Sequence, residues 1–335
     1  MTAAPQGTDP VAASLTPLAA RRSPNRVDVS VLVPAKDEAE NLPLFMELAA
    51  AAFAASSYSY EVVVVDDGSV DATWSVLQGL ADQYSFLRLA RHRSMRGIAD
   101  ALRTGFLAAR GDVLVFYPAD LQFKPEDIPR LVEPILAGDS DMVTGFKEGK
   151  YEKRFVSGVY NALSRALFKV PVKDLNSVKA YRREVMESLP TRPDWHRYMV
   201  VMAAAQGFAV SEIPVPLYPR HAGKSKFATW HRIPIGVLDM LAVWFELRFG
   251  QKPLLLFGML GVGIVVVSVV AGIVLLLTHA GVRSIWQLIE TSLILGSVLF
   301  ATGLLGEQIA GQRAQLRELR RQLDELSAER MKDRE

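Results

Sequence analysis

Two carboxylates, Asp66 and Asp67, come directly after the β-branched run 62–65 and precede Gly68 and Ser69 in the stretch YEVVVVDDGSVD. An unbroken apolar run of this kind is what a strand buried on both faces of a parallel sheet requires. Ligands of open α/β sheets sit just beyond the carboxyl ends of the strands, so acids at this point are placed to meet one. A strand-end turn in which Asp67 or Ser69 caps the next helix is the competing reading. A second acidic pair, Asp37 and Glu38, comes after VDVSVLVP, and solvated acids at a helix N-terminus would look the same. Charges of opposite sign gather in PRHAGKSKF, where Arg220, Lys224, Ser225 and Lys226 stand beyond the strand-like residues 208–218; Arg197 stands next to His196 ahead of an apolar helix. Such cations can clamp anionic reactants, or can simply attract the chain to anionic lipid headgroups.

These side chains need a frame. Ordered structure is expected to begin near Val27, after a disordered leader over residues 1–26 that is rich in Ala, Pro, Ser and Thr. Strand patterns at 27–34, 62–65, 86–90 and 112–117 alternate with helical patterns at 41–53 and 72–84 and with a third helix that ends at Gly111. The last strand runs into PADLQFKPEDIPRL, whose Pro125 and Glu126 read as the start of another helix. That alternation predicts an α/β fold with a mostly parallel sheet and helices on both sides. No GxGxxG stands after the first strand, which removes the main support for a nicotinamide or flavin enzyme. A net charge of +2 argues against a nucleic-acid binder. Without cysteine, neither disulfides nor thiolate metal sites are available.

Residues 253–282 contain no Asp, Glu, Lys or Arg, and 285–306 contain only Glu290. The first stretch holds about 24 apolar residues, roughly 36 Å of helix, enough to cross a bilayer. Two transmembrane helices are expected within 253–306. Arg248, Lys252, Arg313, Arg317, Arg320 and Arg321 flank the hairpin's open ends, so the catalytic domain and both termini are expected in the cytoplasm. Residues 227–252 carry Ile235, Val237, Leu238, Leu241, Trp244 and Phe245 near helical spacing. They are expected to lie along the bilayer surface, with an internal core helix as the alternative. In 307–335, Ile309, Leu316 and Leu323 stand seven apart, with Leu319 and Leu326 at the paired heptad positions. That pattern fits a short coiled coil and a homo-oligomer, or else a solitary charged helix.

The motifs VPAKDEAENL (33–42), VVDDGSVDAT (64–73), GIADALRTGFLAARGD (97–112), ADLQFKPEDIP (119–129), DLNSVKAYRREV (174–185) and PRHAGKSKF (219–227) occur in that order, with the hairpin after them. The chain thereby resembles the family-2 glycosyltransferases, within them the polyprenyl-phosphate glycosyltransferases that include dolichol-phosphate mannose synthase. The resemblance implies a glycosyltransferase-A catalytic domain over 27–226. It also implies a UDP- or GDP-linked sugar as donor and polyprenyl phosphate as acceptor.

It further implies that Pro34, Asp37 and Glu38 surround the nucleoside, with Asp67 on the base side and Asp66, Gly97, Asp120 and Lys179 completing the donor site. Lys179 stands where relatives commonly carry Arg, which keeps the charge but loses the bidentate fork. Arg220, Ser225 and Lys226 belong by the same resemblance to the phosphate site and, with Asp120, to the catalytic group; Arg197 and Lys224 join them on the acceptor phosphate. Relatives usually hold Mg2+ or Mn2+ with two Asp spaced i, i+2. Here Pro118 takes the first position, leaving Asp120 and Gln122 as the implied ligands. A phosphate monoester, with a second pKa of about 6, is already anionic at neutral pH and needs no general base. Two rival readings stay open: transfer to a lipid alcohol, and a non-catalytic nucleotide-sugar-binding scaffold. A processive polysaccharide synthase is disfavoured by the absence of QxxRW and by a membrane part of two helices.

Overall fold

The computed structural model describes residues 26–148, 167–168, 172–175, 177–189, 195–222, 232–250, 252–278 and 283–332. The expected leader therefore lies outside the described residues except for Arg26. The chain divides into two compact units, Met1–Arg232 and Ile233–Glu335, a few residues beyond the boundary expected at 226.

In the first unit the elements run β1 (Val27–Ala35), α1 (Leu42–Ala54), β2 (Tyr60–Asp66), α2 (Thr73–Gln83), β3 (Leu87–Arg91), α3 (Ile98–Ala108), β4 (Gly111–Phe116), α4 (Ile128–Leu136), β5 (Met142–Glu148), β6 (Lys179–Arg182), α5 (Arg183–Ser188), α6 (Met199–Ala205) and β7 (Val210–Pro216). The strands form one sheet in the order β3-β2-β1-β4-β6-β5-β7, parallel except for β6, which is antiparallel to β4 and β5. Val62, Val63 and Val64 of β2 and Val31, Leu32 and Val33 of β1 are at most 1 % exposed, so both strands need apolar side chains on both faces. On α1, Leu42, Phe45, Met46, Ala49 and Phe53 recur at helical spacing and pack with Val29, Val31 and Val33 into the main core.

The apolar run is broken on β1 by Ser30 and on β2 by Glu61, and the two satisfy each other: Ser30 Oγ donates to Glu61 Oε1 at 2.6 Å. Arg110 adds its backbone N–H at 2.6 Å and its Nε at 2.9 Å. Burial pushes the Glu61 carboxyl up, but the Ser30 and Arg110 hydrogen bonds outweigh it and leave the group below its ordinary range. Gly111 is required here, since a Cβ would fall 2.5 Å from the Ser30 nitrogen. This network sits at the end of β4 remote from Asp120.

β1 has β2 on one side and β4 on the other, so the direction of winding reverses at β1. Open α/β sheets bind ligands in the crevice at such a point. The topology thus gathers at one sheet edge the loops behind β1 (Asp37, Glu38), β2 (Asp67) and β4 (Asp120).

The second unit holds α7 (Arg232–Phe249), α8 (Met259–Thr278) entered through a π-turn at Leu254–Gly258, and α9 (Arg283–Lys332). Helices spanning Leu254–Thr278 and Arg283–Leu316 are long and apolar enough to cross a membrane. Their large apolar side chains point outward: Val267 is 68 % and Leu277 76 % exposed, which is not how a buried hairpin in a soluble core presents itself. The helices pack through glycines, because a Cβ on Gly261 would lie 2.5 Å from the Gly296 oxygen. On α7, Leu238 and Leu241 are exposed as a surface-lying helix requires, whereas Met240 and Val243 are buried. α9 continues without a break through residue 306, so the hairpin and the charged tail differ in composition and share one helix. Ile309, Leu316 and Leu319 are exposed along it; the side chains of Leu323 and Leu326 lie outside the described residues.

Candidate active site

The loop after β1 is laced to the loop after β2. Asp37 takes a positive φ of 48°, donates its N–H to Ser69 Oγ at 2.8 Å and accepts the Val70 N–H on Oδ1 at 2.9 Å. Lys36 Nζ donates to the Gly68 oxygen at 2.9 Å, and the Glu38 N–H donates to Thr73 Oγ1 at 2.8 Å. The two acidic loops are thereby fixed as one rim, with Pro34 inside β1 beneath it.

Asp66 and Asp67 divide the work that their sequence left undecided. Asp66 is fully buried: Oδ1 accepts the Ser69 N–H at 2.8 Å and Oδ2 lies 3.1 Å from Arg91 Nε. It shapes the turn. Asp67 accepts the Arg96 N–H and the His92 Nδ1 on Oδ1, and the Gly97 N–H on Oδ2, each at 2.8 Å. Because a carboxylate only accepts, His92 Nδ1 carries the proton in this pair, and Nε2 meets Thr104 Oγ1 at 2.8 Å. Asp67 therefore holds the segment 92–97 across the rim, and Gly97, at φ 97°, turns that segment into α3. Nothing in the sequence marks His92, one of five histidines, for this role.

Beyond β4, Leu121 adopts a positive φ of 56° with its side chain buried, which sets Asp120 and Gln122 on either side of a sharp turn. Asp120 Oδ1 accepts the Gln122 N–H at 3.2 Å, and Oδ2 lies 2.8 Å from Arg220 Nη2. The second guanidinium nitrogen, Nη1, lies 3.6 Å from Glu38 Oε1. One arginine from behind β7 thus spans the acids behind β1 and β4. Its segment is docked by backbone hydrogen bonds, Tyr218 N–H to the Gln122 oxygen at 2.9 Å and His221 N–H to the Asp120 oxygen at 3.5 Å. Burial raises the Asp120 carboxyl above its ordinary value, and the Arg220 charge and the Gln122 hydrogen bond oppose that rise. Lys224, Ser225 and Lys226 lie outside the described residues.

A second cationic group is built on β6. Lys179 is 1 % exposed, donates to the Ser177 oxygen at 2.8 Å and lies 5.8 Å from the centre of the Phe116 ring, its cross-strand neighbour. Burial pushes its ammonium down to about 7, against the pull of Asp174 and with the repulsion of Lys147 and Arg197. His196 meets the other side of this group, edge-on to Phe116 at 6.4 Å, and burial beside Lys179 and Arg197 pushes it down to about 3. Lys147 pairs with Asp174 at 3.2 Å. Lys179 and Arg197, expected in donor and acceptor roles, so influence one another electrostatically.

Among the described residues no three His, Cys, Asp or Glu side chains gather as a metal cluster. Asp120 offers one carboxylate, Pro118 none, and Gln122 a carboxamide two residues on. That donor set fits a divalent cation that arrives with, and is mostly coordinated by, the substrate phosphates and water.

Residues 30–186 match the description Glycosyl transferase family 2. The chain carries a family-2 glycosyltransferase domain. The protein is 28 % identical over 304 residues to the dodecaprenyl-phosphate galacturonate synthase of Rhizobium johnstonii, covering 85 % of this chain and 88 % of that one. It is 35 % identical over 211 residues to the dolichol-phosphate mannosyltransferase of Pyrococcus furiosus, covering 59 % and 58 %. It is 28 % identical over 305 residues to the undecaprenyl-phosphate 4-deoxy-4-formamido-L-arabinose transferase of Pseudomonas fluorescens, covering 86 % of each. In fold it is similar to glucosyl-3-phosphoglycerate synthase from Mycobacterium tuberculosis in complex with Mn2+, UDP and glucosyl-3-phosphoglycerate, with a TM-score of 0.53 at 20 % identity over 66 % of this chain and 80 % of that one. The glycosyltransferase-A fold expected from the motifs is the fold observed.

Proposed function

We propose that this glycosyltransferase moves one sugar from a nucleoside diphosphate sugar to a polyprenyl phosphate at the cytoplasmic face of a membrane, by direct displacement with inversion. The observation that carries the reading is the Arg220 guanidinium set between Asp120 and Glu38 at the switch point of the sheet. The acceptor phosphate oxygen bonds to the anomeric carbon as the bond to the diphosphate breaks, and the electron pair leaves on the nucleoside diphosphate. No proton is removed, so the chain has to supply cations more than a base. Asp37, Glu38 and Asp67 border the donor rim, where carboxylates accept hydrogen bonds from ribose and base. Asp120 and Gln122 would hold Mg2+ or Mn2+, which when bound neutralises charge on the leaving diphosphate. Arg220, with Lys224, Ser225 and Lys226 of the same motif, contacts the phosphates, while Lys179 adds positive charge on the donor side and Arg197 on the acceptor side.

The names of the relatives support a polyprenyl phosphate acceptor. The basic flanks of the hairpin support a cytoplasmic catalytic domain. The exposed heptad positions on α9 support self-association of two or more copies.

The test incubates membranes containing the protein with labelled nucleotide sugars and either polyprenyl phosphate or polyprenol, with Mg2+ or EDTA, and counts the lipid phase. Label on the phosphate lipid alone is expected. Equal label on polyprenol would favour the lipid-alcohol reading, and no label from any donor would favour the scaffold. Full transfer in EDTA would remove the metal ligands proposed.

A further inference from the structure

Asn41 opens α1 at the N-cap position but makes no side-chain cap hydrogen bond. Asparagine is favoured there because its Oδ1 accepts an N–H of the first turn. Here the amide is used elsewhere. Nδ2 donates to Glu38 Oε2, the carboxylate that faces Arg220, and lies 3.4 Å from the backbone oxygen of Ala222, two residues beyond Arg220. The residue is 2 % exposed, and its Oδ1 is buried without a hydrogen-bond partner among the described residues. Flipping the amide would not relieve this, since it would turn an oxygen toward two acceptors, Glu38 Oε2 and the Ala222 oxygen. A buried side chain that forgoes its cap and leaves one acceptor unsatisfied is held there by the groups its NH2 joins.

We infer that Asn41 is a positioning residue that joins the loop behind β1 to the segment behind β7 and so holds the Arg220 guanidinium on Asp120. Its catalytic half rests on the reading of Arg220 given above. The tie has two strands. Through Glu38 it fixes the carboxylate that orients one guanidinium nitrogen, and through Ala222 it fixes the backbone that carries the arginine. Tyr218 and His221 dock the same segment from the β4 side, so Asn41 closes the side that they leave open.

The experiment compares the full-length wild type with Asn41→Leu, which keeps the shape and removes the donor, and with Asn41→Gln, which keeps a donor. Hydrogen exchange of the peptide over 217–222 should quicken about tenfold in Asn41→Leu, with β1 unchanged. Turnover should fall about tenfold with the nucleotide-sugar KM nearly constant, and Asn41→Gln should recover part of it. In an Arg220→Lys background, Asn41→Leu should cost little more, because the group it positions is already gone. Unchanged exchange at 217–222, or an equal loss in both backgrounds, would overturn the inference. If Asn41→Leu does not fold, Asn41→Ala provides the same donor-loss comparison. A wild type without transferase activity would overturn the catalytic half together with the proposed function, while the exchange comparison would still decide whether Asn41 holds the segment.

Discussion

At the residue scale the site is a charge balance centred on Asp120. On the proposed function, Arg220→Gln should lower kcat/KM by about 100-fold or more, since it removes the cation proposed to face developing negative charge. Arg220→Lys should recover only part of this, because a point charge cannot span Glu38 and Asp120. Pro118→Asp adds a second carboxylate and should tighten Mn2+ binding to the UDP-bound protein by about tenfold, read by titration calorimetry. Burial holds the Asp120 carboxyl above its ordinary value, so as pH falls it protonates earlier than a surface carboxylate would. The same Mn2+ titration should weaken with acid from a pH above the usual carboxylate range. Lys179 behaves oppositely. Its ammonium, lowered to about 7, loses its charge as pH rises through that value. Activity should therefore fall on the alkaline side of pH 7, and Lys179→Arg, always charged, should extend the plateau upward. The acids themselves were legible in the sequence because they stand at the ends of apolar strands. Their division of labour was not. Asp66 and Asp67 are adjacent and alike, and only the structure shows that Asp66, the last residue of β2, anchors the turn while Asp67, just past the strand, holds 92–97.

At the element scale, stability and chemistry occupy opposite ends of the same strands. Glu61 and Ser30 lie on β2 and β1 away from the acids, and Glu61 is closed in by Arg110. Glu61→Gln should destabilise the domain by roughly 3 kcal/mol, seen as a lower thermal midpoint, with little change in KM. Because the folded Glu61 carboxyl is lowered, its contribution is present above the unfolded value and is lost as pH falls through the folded one. Gly111→Ala should also destabilise, because the new methyl would meet the β1 backbone. The boundaries of β1 and β2 were readable to within a residue or two from β-branched runs. β6 was not readable, since KAYR is short, half charged and antiparallel. Its place between β4 and β5 is decided by non-local pairing, and with it the burial of Lys179.

At the scale of the whole molecule, the two long apolar helices carry a test of their own. Gly261→Leu should disrupt the packing of α8 on α9 and lower the yield of folded protein in detergent, as the added side chain has no room beside Gly296. The sequence by itself determined the class of fold, the hairpin and the order of the motifs, because these rest on local periodicity and on runs of apolar residues that leave few alternatives. Only the tertiary structure decided that Arg220, far along the chain from both Asp120 and Glu38, is the cation that joins them, and that Asn41 turns from capping a helix to holding that segment. Such contacts depend on strand order, which is fixed by pairing between distant segments, and no local pattern of residues encodes it.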